Sequence, residues 1–228
     1  MKRLFFQAII VFSAIVLAGC REDSGEDNKT PSMPPPFSHY FIGGYLTPSE
    51  VKVALNDNGV LRLYADGEFI MTPREYNDAI SEEALHLAQR YNDTSYNAAG
   101  GGVYAFAYPI DEITISSEQD FDARHPAGTV LDDIVEMQYT SYYPFILNGY
   151  NLIYNPSLDT KWWSVPYDLC LDCVCGDLAT LISCTPEGKT LGTLTFATTP
   201  DTPGEYNFTL SLTTNGETYT TTFTHTFE

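Results

Sequence analysis

The chain has 228 residues, 43% of them hydrophobic and 14% aromatic, which is enough apolar material for one large core or two small ones. Its 30 acidic residues outweigh 11 basic ones and give a formal net charge of −19. Such a surface repels nucleic acid and anionic headgroups, so the charge excludes nucleic-acid partners and membrane attachment through a basic patch.

Residues 1–19 have the composition of a cleaved signal peptide. Lys2 and Arg3 precede a short apolar run that ends in Leu17-Ala18-Gly19, directly before Cys20. The run is too short to span a bilayer, and a small residue before cysteine is typical of the bacterial lipoprotein signal. The sequence therefore predicts that Cys20 becomes the lipid-bearing N-terminus and that its acyl chains hold the protein on a membrane.

Residues 20–36 are first acidic and then rich in proline. This composition buries little apolar surface, so we expect a semi-extended tether. Glu22, Asp23, Glu26 and Asp27 follow the lipid cysteine closely, and this acidic start resembles the export tag of Bacteroidetes surface lipoproteins. The resemblance implies an outer-membrane protein on the cell surface, and a plain spacer on a periplasm-facing lipoprotein is the alternative.

An N-terminal α/β portion is expected over residues 37–109. Thr72-Pro73-Arg74-Glu75 has the form of a capping box, and apolar residues then recur every three or four positions, which predicts a helix over about 73–91. Thr47-Pro48-Ser49-Glu50 has the same form. There, however, the alternation of Val51, Val53 and Leu55 before a turn favours a β-hairpin. A buried strand is expected over 103–108.

Residues 110–228 show short apolar runs separated by turns, which predicts an antiparallel β-sandwich of immunoglobulin-like architecture. Asn215-Gly216 is the preferred dipeptide of a two-residue type I′ turn. That turn sets four apolar-face pairs: Leu212 with Tyr219, Leu210 with Thr221, Phe208 with Phe223, and Tyr206 with His225. The opposite face carries threonine, serine and asparagine, as in a half-buried sheet. Pro203-Gly204-Glu205-Tyr206 resembles the tyrosine corner of immunoglobulin-like sandwiches.

A signature near the middle of the chain resembles a known group of proteins. Asp111-Glu112-Ile113-Thr114-Ile115-Ser116-Ser117 is followed by Asp120-Phe121-Asp122 and by His125-Pro126-Ala127-Gly128. With the lipoprotein leader, this pattern is similar to a family of uncharacterised surface lipoproteins of gut Bacteroidetes. The family has no assigned activity, so the resemblance implies a surface location and supplies no catalytic residues.

Four cysteines besides Cys20 lie close together in the sequence: Cys170, Cys173, Cys175 and Cys184. In an oxidising compartment such a group is usually linked by disulfides, and four cysteines allow three complete pairings that the sequence does not rank. Free structural thiols and a thiolate metal site are the alternatives, although no histidine lies nearby. We predict at least one disulfide and no metal.

Aromatic residues are concentrated between Tyr139 and Tyr167, where nine occur in 29 positions. Most are expected to pack in the core, because aromatic side chains favour strands and fill sandwich interiors. Exposed tyrosine and tryptophan rings suit sugar rings and protein partners. The adjacent Trp162 and Trp163, with Tyr142 and Tyr143 nearby, are therefore the candidate ligand contacts, since adjacent strand residues point to opposite faces.

No motif typical of catalysis is present. The four histidines are scattered, and the chain holds no phosphate loop, dinucleotide fingerprint or nucleophile elbow. We therefore expect no enzyme activity and no cofactor. The expected function is that of a lipid-anchored cell-surface protein that binds a glycan or protein ligand. The alternative is a structural subunit of an adhesin or pilus, because sandwich lipoproteins can polymerise by strand addition.

Overall fold

Antiparallel strands dominate the computed structural model, as the alternating apolar patterns predict. It describes residues 37–56, 58–74, 78–99, 103–174, 182–184 and 189–228. The strands of the first half are β1 (Phe37–Ser38), β2 (Ile42–Leu55), β3 (Leu61–Met71), β4 (Ala98–Ala99), β5 (Val103–Phe106), β6 (Ile110–Ser117) and β7 (Val135–Ser141). Those of the second half are β8 (Ile153–Asn155), β9 (Thr160–Trp162), β10 (Val165–Cys170), β11 (Ser183–Cys184), β12 (Thr190–Phe196), β13 (Gly204–Thr214) and β14 (Glu217–Phe227).

Two α-helices are present in the described residues, α1 (Glu82–Arg90) and α2 (Tyr143–Leu147). The Ser81 hydroxyl caps α1 by accepting a hydrogen bond from the Ala84 N–H at 3.2 Å. The prediction that this helix begins at Pro73 is wrong. Thr72 is buried and its hydroxyl donates to the Ile42 carbonyl, so Thr72 closes β3 against β2 and does not cap a helix.

Two sheets form the predicted sandwich. The larger sheet has the strand order β10-β7-β12-β3-β2-β5-β11, with β2 and β5 parallel and the other neighbours antiparallel. The smaller sheet has the order β14-β13-β6. An immunoglobulin sandwich has about seven to nine strands, fewer than the seven and three of these two sheets together, so the likeness is one of architecture. Strands from 37–109 and from 110–228 share the larger sheet, and both ranges belong to one compact unit.

Apolar side chains of both sheets meet in a main core between them. This core includes Leu46, Leu63, Phe106, Ile113, Phe121, Met137, Phe208 and Leu210. A second core lies under α1 and α2 and is formed by Phe41, Ile42, Tyr45, Leu87, Tyr91, Ala105, Ala107, Phe145 and Ile146. Strand β2 serves both cores, with Leu46 in the main core and Tyr45 in the second one. Its first half is therefore buried on both faces.

The C-terminal hairpin confirms the predicted register at all four pairs. Asn215 and Gly216 have φ values of 52° and 77°, as a type I′ turn requires. The Tyr206 hydroxyl donates to the Thr202 carbonyl at 2.8 Å, which is the hydrogen bond of a tyrosine corner. The pairing predicts that Phe208 and Phe223 are both buried, but only Phe208 is fully buried and Phe223 is half-buried. Phe223 lies on β14, the outer strand of its sheet, where the core is thinner.

Candidate functional site

The segment from α2 to β9 is positioned by an unusual turn. Pro144 lies in the first turn of α2, where its missing N–H breaks no hydrogen bond. Gly149 and Tyr150 then both adopt a φ of 61° and reverse the chain before β8. Such a backbone is unfavourable for tyrosine. It is held in place because the Tyr150 hydroxyl bonds to Asp93 Oδ1 at 3.1 Å and the ring packs against Phe145.

Asp93 is a fully buried carboxylate that fixes this turn to the sandwich. Its two oxygens accept the backbone N–H groups of Phe41 (2.9 Å) and Ile42 (2.8 Å), and Tyr150 adds a third bond. Burial raises the pKa of Asp93 to about 6, even though these hydrogen bonds favour the ionised form. Sequence reasoning missed this residue, because Asn92-Asp93-Thr94 has the composition of an ordinary solvated turn.

Strands β8 and β9 form a short hairpin of three residues on each side. Ile153 faces Trp162, and Tyr154 faces Lys161. Ile153 packs against the second core, so one face of the hairpin is attached to the sandwich. Tyr154 lies on the other face, is 56% exposed, and donates its hydroxyl to Asp159 at 2.7 Å.

Trp162 and Trp163 form one aromatic unit. Their ring centroids are 4.0 Å apart with an angle of 33° between the planes. The expectation that they point to opposite faces is wrong, because β9 ends at Trp162 and Trp163 lies in a bend. Trp162 is half-buried and Trp163 is 37% exposed. The pair therefore presents a supported ring to solvent.

The segment exposes more large apolar side chains than any other described part of the chain. Of the nine large hydrophobic residues that are exposed within the described ranges, five lie between positions 147 and 163, namely Leu147, Leu152, Tyr154, Leu158 and Trp163. Single exposed residues are ordinary, whereas grouped ones mark binding surfaces. We call residues 147–163 the apolar hairpin. Its leucines were missed at the sequence level, since they stand among Asn, Gly and Pro without a strand or helix period.

A cleft of about 490 Å³ opens beside the turn of the apolar hairpin. Pro156 and Ser157 of that turn line one side of it. Gln138, Asp168 and Thr193 line the other, from the solvent-facing side of β7, β10 and β12. The Gln138 amide donates to the Asp168 carboxylate at 3.2 Å. The cleft thus offers amide, carboxylate and hydroxyl groups next to apolar surface, a combination common in small-ligand sites.

Tyr142 and Tyr143 lie apart from this exposed surface, in the packing around the second core. The Tyr142 ring stands edge-on to Phe41 at 5.5 Å, and Tyr143 stands edge-on to Tyr91 at 6.2 Å. Burial raises the pKa of Tyr142 to about 12. Of the four candidate ligand contacts, the structure therefore brings together Trp162 and Trp163 and uses Tyr142 and Tyr143 for packing.

No disulfide joins the described cysteines Cys170, Cys173 and Cys184. Cys184 is buried, and burial raises the pKa of its thiol to about 12. The Cys170 thiol lies 3.6 Å from the Asp133 carbonyl. Cys175 falls outside the described residues, as do Cys20, the leader and the tether. The disulfide and the lipidation therefore stay predictions.

The signature around His125 builds a tight turn. Asp122 Oδ1 accepts the N–H groups of Arg124 and His125, and it also lies 2.8 Å from the His125 ring nitrogen Nδ1. The other ring nitrogen, Nε2, lies 3.1 Å from Asp133. Although burial opposes the effect, these bonds hold the pKa of Asp122 below its ordinary value. Phe121 is fully buried in the main core, so the motif has a structural explanation.

Within the ranges that the structure describes, no three His, Cys, Asp or Glu side chains are grouped so that they could hold a metal ion. No helix in those ranges is long and apolar enough to cross a membrane. Comparison with protein-family models, with curated proteins and with solved structures finds no match to the chain.

Proposed function

We propose that this protein is a lipid-anchored cell-surface protein that binds a glycan through the apolar hairpin and its cleft, without catalysing a reaction. The anchor is inferred from the leader and Cys20, and the surface location from the acidic residues of the tether. After removal of the leader, nine basic residues stand against 30 acidic ones, a formal charge of −21. The acyl chains must therefore provide the attachment.

One observation supports the binding role best. A folded protein normally buries its large apolar side chains, but five remain exposed between residues 147 and 163 beside a polar cleft. The segment is held at two points, because Trp162 stacks on Trp163 and the Tyr150 hydroxyl donates a hydrogen bond to Asp93. A rigid exposed aromatic surface loses little conformational entropy when a ligand covers it.

A neutral glycan fits this surface better than a charged ligand. The exposed rings of Trp163 and Tyr154 suit the apolar face of a sugar ring. The cleft at the hairpin turn, which neither ring lines, supplies Gln138, Asp168 and Thr193 as hydrogen-bonding groups for the hydroxyls of a neighbouring sugar unit. The strongly acidic chain repels anionic ligands, which excludes sulfated and uronic acid polymers as preferred partners.

The binding proposal is tested with the mature, acylated protein in detergent on an array of neutral and acidic glycans. We expect a neutral glycan to bind, and Trp163→Ala and Tyr154→Ala each to raise its dissociation constant about tenfold. Val130→Ala is the matched control, because Val130 is also exposed but lies outside the apolar hairpin. Equal affinity of all variants would contradict the proposal. Loss of a protein partner in Trp163→Ala, with no glycan bound, would assign the surface to a protein ligand.

The anchor has its own test. Cys20→Ala should abolish incorporation of labelled palmitate and release the protein from membranes. Replacement of Glu22, Asp23, Glu26 and Asp27 with alanine should reduce cleavage by external protease on intact cells without lowering total protein. Label retained by Cys20→Ala would exclude lipidation at Cys20. Equal cleavage of the parent and the tether variant would exclude export directed by the acidic residues. Polymers shed from cells would instead favour the structural-subunit alternative.

A further inference from the structure

Strand β14 is the outer strand of the three-stranded sheet and pairs with β13 alone. In an antiparallel pair of strands, facing residues alternate between hydrogen-bonded and non-hydrogen-bonded pairs. Thr214 and Glu217 flank the two-residue turn and form a hydrogen-bonded pair. The backbone groups of every second residue therefore point away from β13. These residues are Thr218, Thr220, Thr222, Thr224 and Thr226. In the described part of the chain, their outward N–H and C=O groups have no backbone partner.

This edge lacks the features that usually keep an outer strand unpaired. Proteins protect such strands with lysine, proline, bulges or short length. Strand β14 has 11 residues, keeps an uninterrupted register with β13, and contains no proline or formal charge from Thr218 to Phe227. In contrast, β10 at an edge of the larger sheet has six residues and carries Pro166 and Asp168. The edge strand of the larger sheet is thus protected against pairing with another strand, whereas β14 is not.

We propose that β14 pairs antiparallel with β14 of a second copy, which joins two three-stranded sheets into one sheet of six strands. A two-fold axis at Thr222 makes this pairing self-complementary. Thr222 then lies opposite Thr222, Thr220 opposite Thr224, and Thr218 opposite Thr226. These side chains are exposed on one face, and threonine pairs across strands stabilise a sheet. About ten backbone hydrogen bonds form between the copies.

The absence of formal charge along β14 favours a second copy as the occupant of this edge. Residues 218–227 contain no acidic or basic side chain that could form an ion pair with a charged peptide. The β14 strand of a second copy is itself uncharged over the same residues and rich in threonine. Glu217 and Glu228 flank the strand and lie near each other across the two-fold axis. Added salt screens this repulsion and that between the two acidic molecules, so it should strengthen the dimer. This pairing of two copies does not depend on the proposed glycan ligand.

Cysteine cross-linking of the full, acylated chain in membranes tests the axis directly. Thr222→Cys places two thiols on facing strands at the axis, within the range that a disulfide spans. Thr209→Cys is the matched control, since Thr209 lies opposite Thr222 within one copy and on the same exposed face, but on the central strand. We expect Thr222→Cys to form much more reducible, disulfide-linked dimer than Thr209→Cys or the parent protein. Equal dimer levels in all three would overturn the pairing.

Sedimentation of the detergent-solubilised protein gives the second readout. Thr222→Pro removes an outward N–H that has no partner within the copy, so circular dichroism and thermal unfolding should stay close to those of the parent. It should raise the dissociation constant of the dimer about tenfold or more. A folded Thr222→Pro protein that dimerises as well as the parent would exclude β14 as the interface, as would a parent that stays monomeric at every salt concentration.

Discussion

The C-terminal hairpin β13–β14 and the apolar hairpin around β8–β9 use the same antiparallel pairing in different ways. The first has 11-residue strands whose apolar side chains alternate and pack on the main core. The second has three-residue strands, and the segment around them exposes leucine, tyrosine and tryptophan. Apolar residues that follow the strand period thus stabilise the fold, whereas those that do not are available for contacts with other molecules.

The largest effect is expected at the centre of the C-terminal hairpin. Phe208 is fully buried and packs against Phe196 with ring centroids 5.0 Å apart. Phe208→Ala should lower the free energy of unfolding by about 3–5 kcal/mol, because it removes a buried ring and leaves a cavity. Chemical denaturation measures this loss. A loss below about 1 kcal/mol would show that the main core does not depend on this strand.

Asp93 links the sandwich to the apolar hairpin, and its ionisation should make stability depend on pH. Its pKa rises from the ordinary 3.8 to about 6 on folding, so the folded state holds the proton more tightly. The contribution of Asp93 to the free energy of unfolding is therefore most favourable below about pH 4 and is lost as the pH rises through 6. Over this range the free energy of unfolding should fall by about 3 kcal/mol.

Asp93→Asn should remove that part of the pH dependence, measured as unfolding free energy between pH 4 and pH 7. Glu205→Gln is the control, since Glu205 is an exposed carboxylate on β13. An unchanged slope in Asp93→Asn would mean that Asp93 is ionised equally easily in the folded and unfolded states.

Phe223 and Thr222 are neighbours on β14 but lie on opposite faces of the strand. Phe223 is half-buried and stacks on Phe208 at 5.2 Å, so Phe223→Ala should destabilise by about 1.5–3 kcal/mol, less than truncation of a fully buried ring. Thr222 is exposed, and Thr222→Ala should change stability by less than about 0.5 kcal/mol. Similar losses at both positions would mean that β14 is covered on both faces.

The sequence predicts the regular hairpins well because turn chemistry and alternation act locally. Asn215-Gly216 sets the register of β13 and β14, and the alternation after Val51 identifies the β2–β3 hairpin. The capping box at Thr72 misleads, because a tertiary hydrogen bond to Ile42 uses the hydroxyl that a helix cap needs. Local pattern gives no information about that distant partner.

The candidate site is predicted only in part from the sequence. An excess of aromatic residues indicates the region and identifies Trp162 and Trp163, but exposure depends on where β9 ends and on how the second core covers Tyr142 and Tyr143. The sequence does not predict the cleft. Gln138 lies on β7 of the larger sheet and Pro156 in the turn of the separate β8–β9 hairpin, and only tertiary packing of that hairpin beside β10 brings the two residues together.

If the apolar hairpin serves binding and not stability, Trp163→Ala should affect the two properties differently in one protein. Trp163 stacks on Trp162 but is exposed, so its removal should lower the free energy of unfolding by no more than about 1 kcal/mol. Titration calorimetry with the neutral glycan should in contrast show an affinity about tenfold weaker. A loss of more than about 2 kcal/mol in stability with unchanged affinity would show instead that the ring belongs to the core and not to a binding surface.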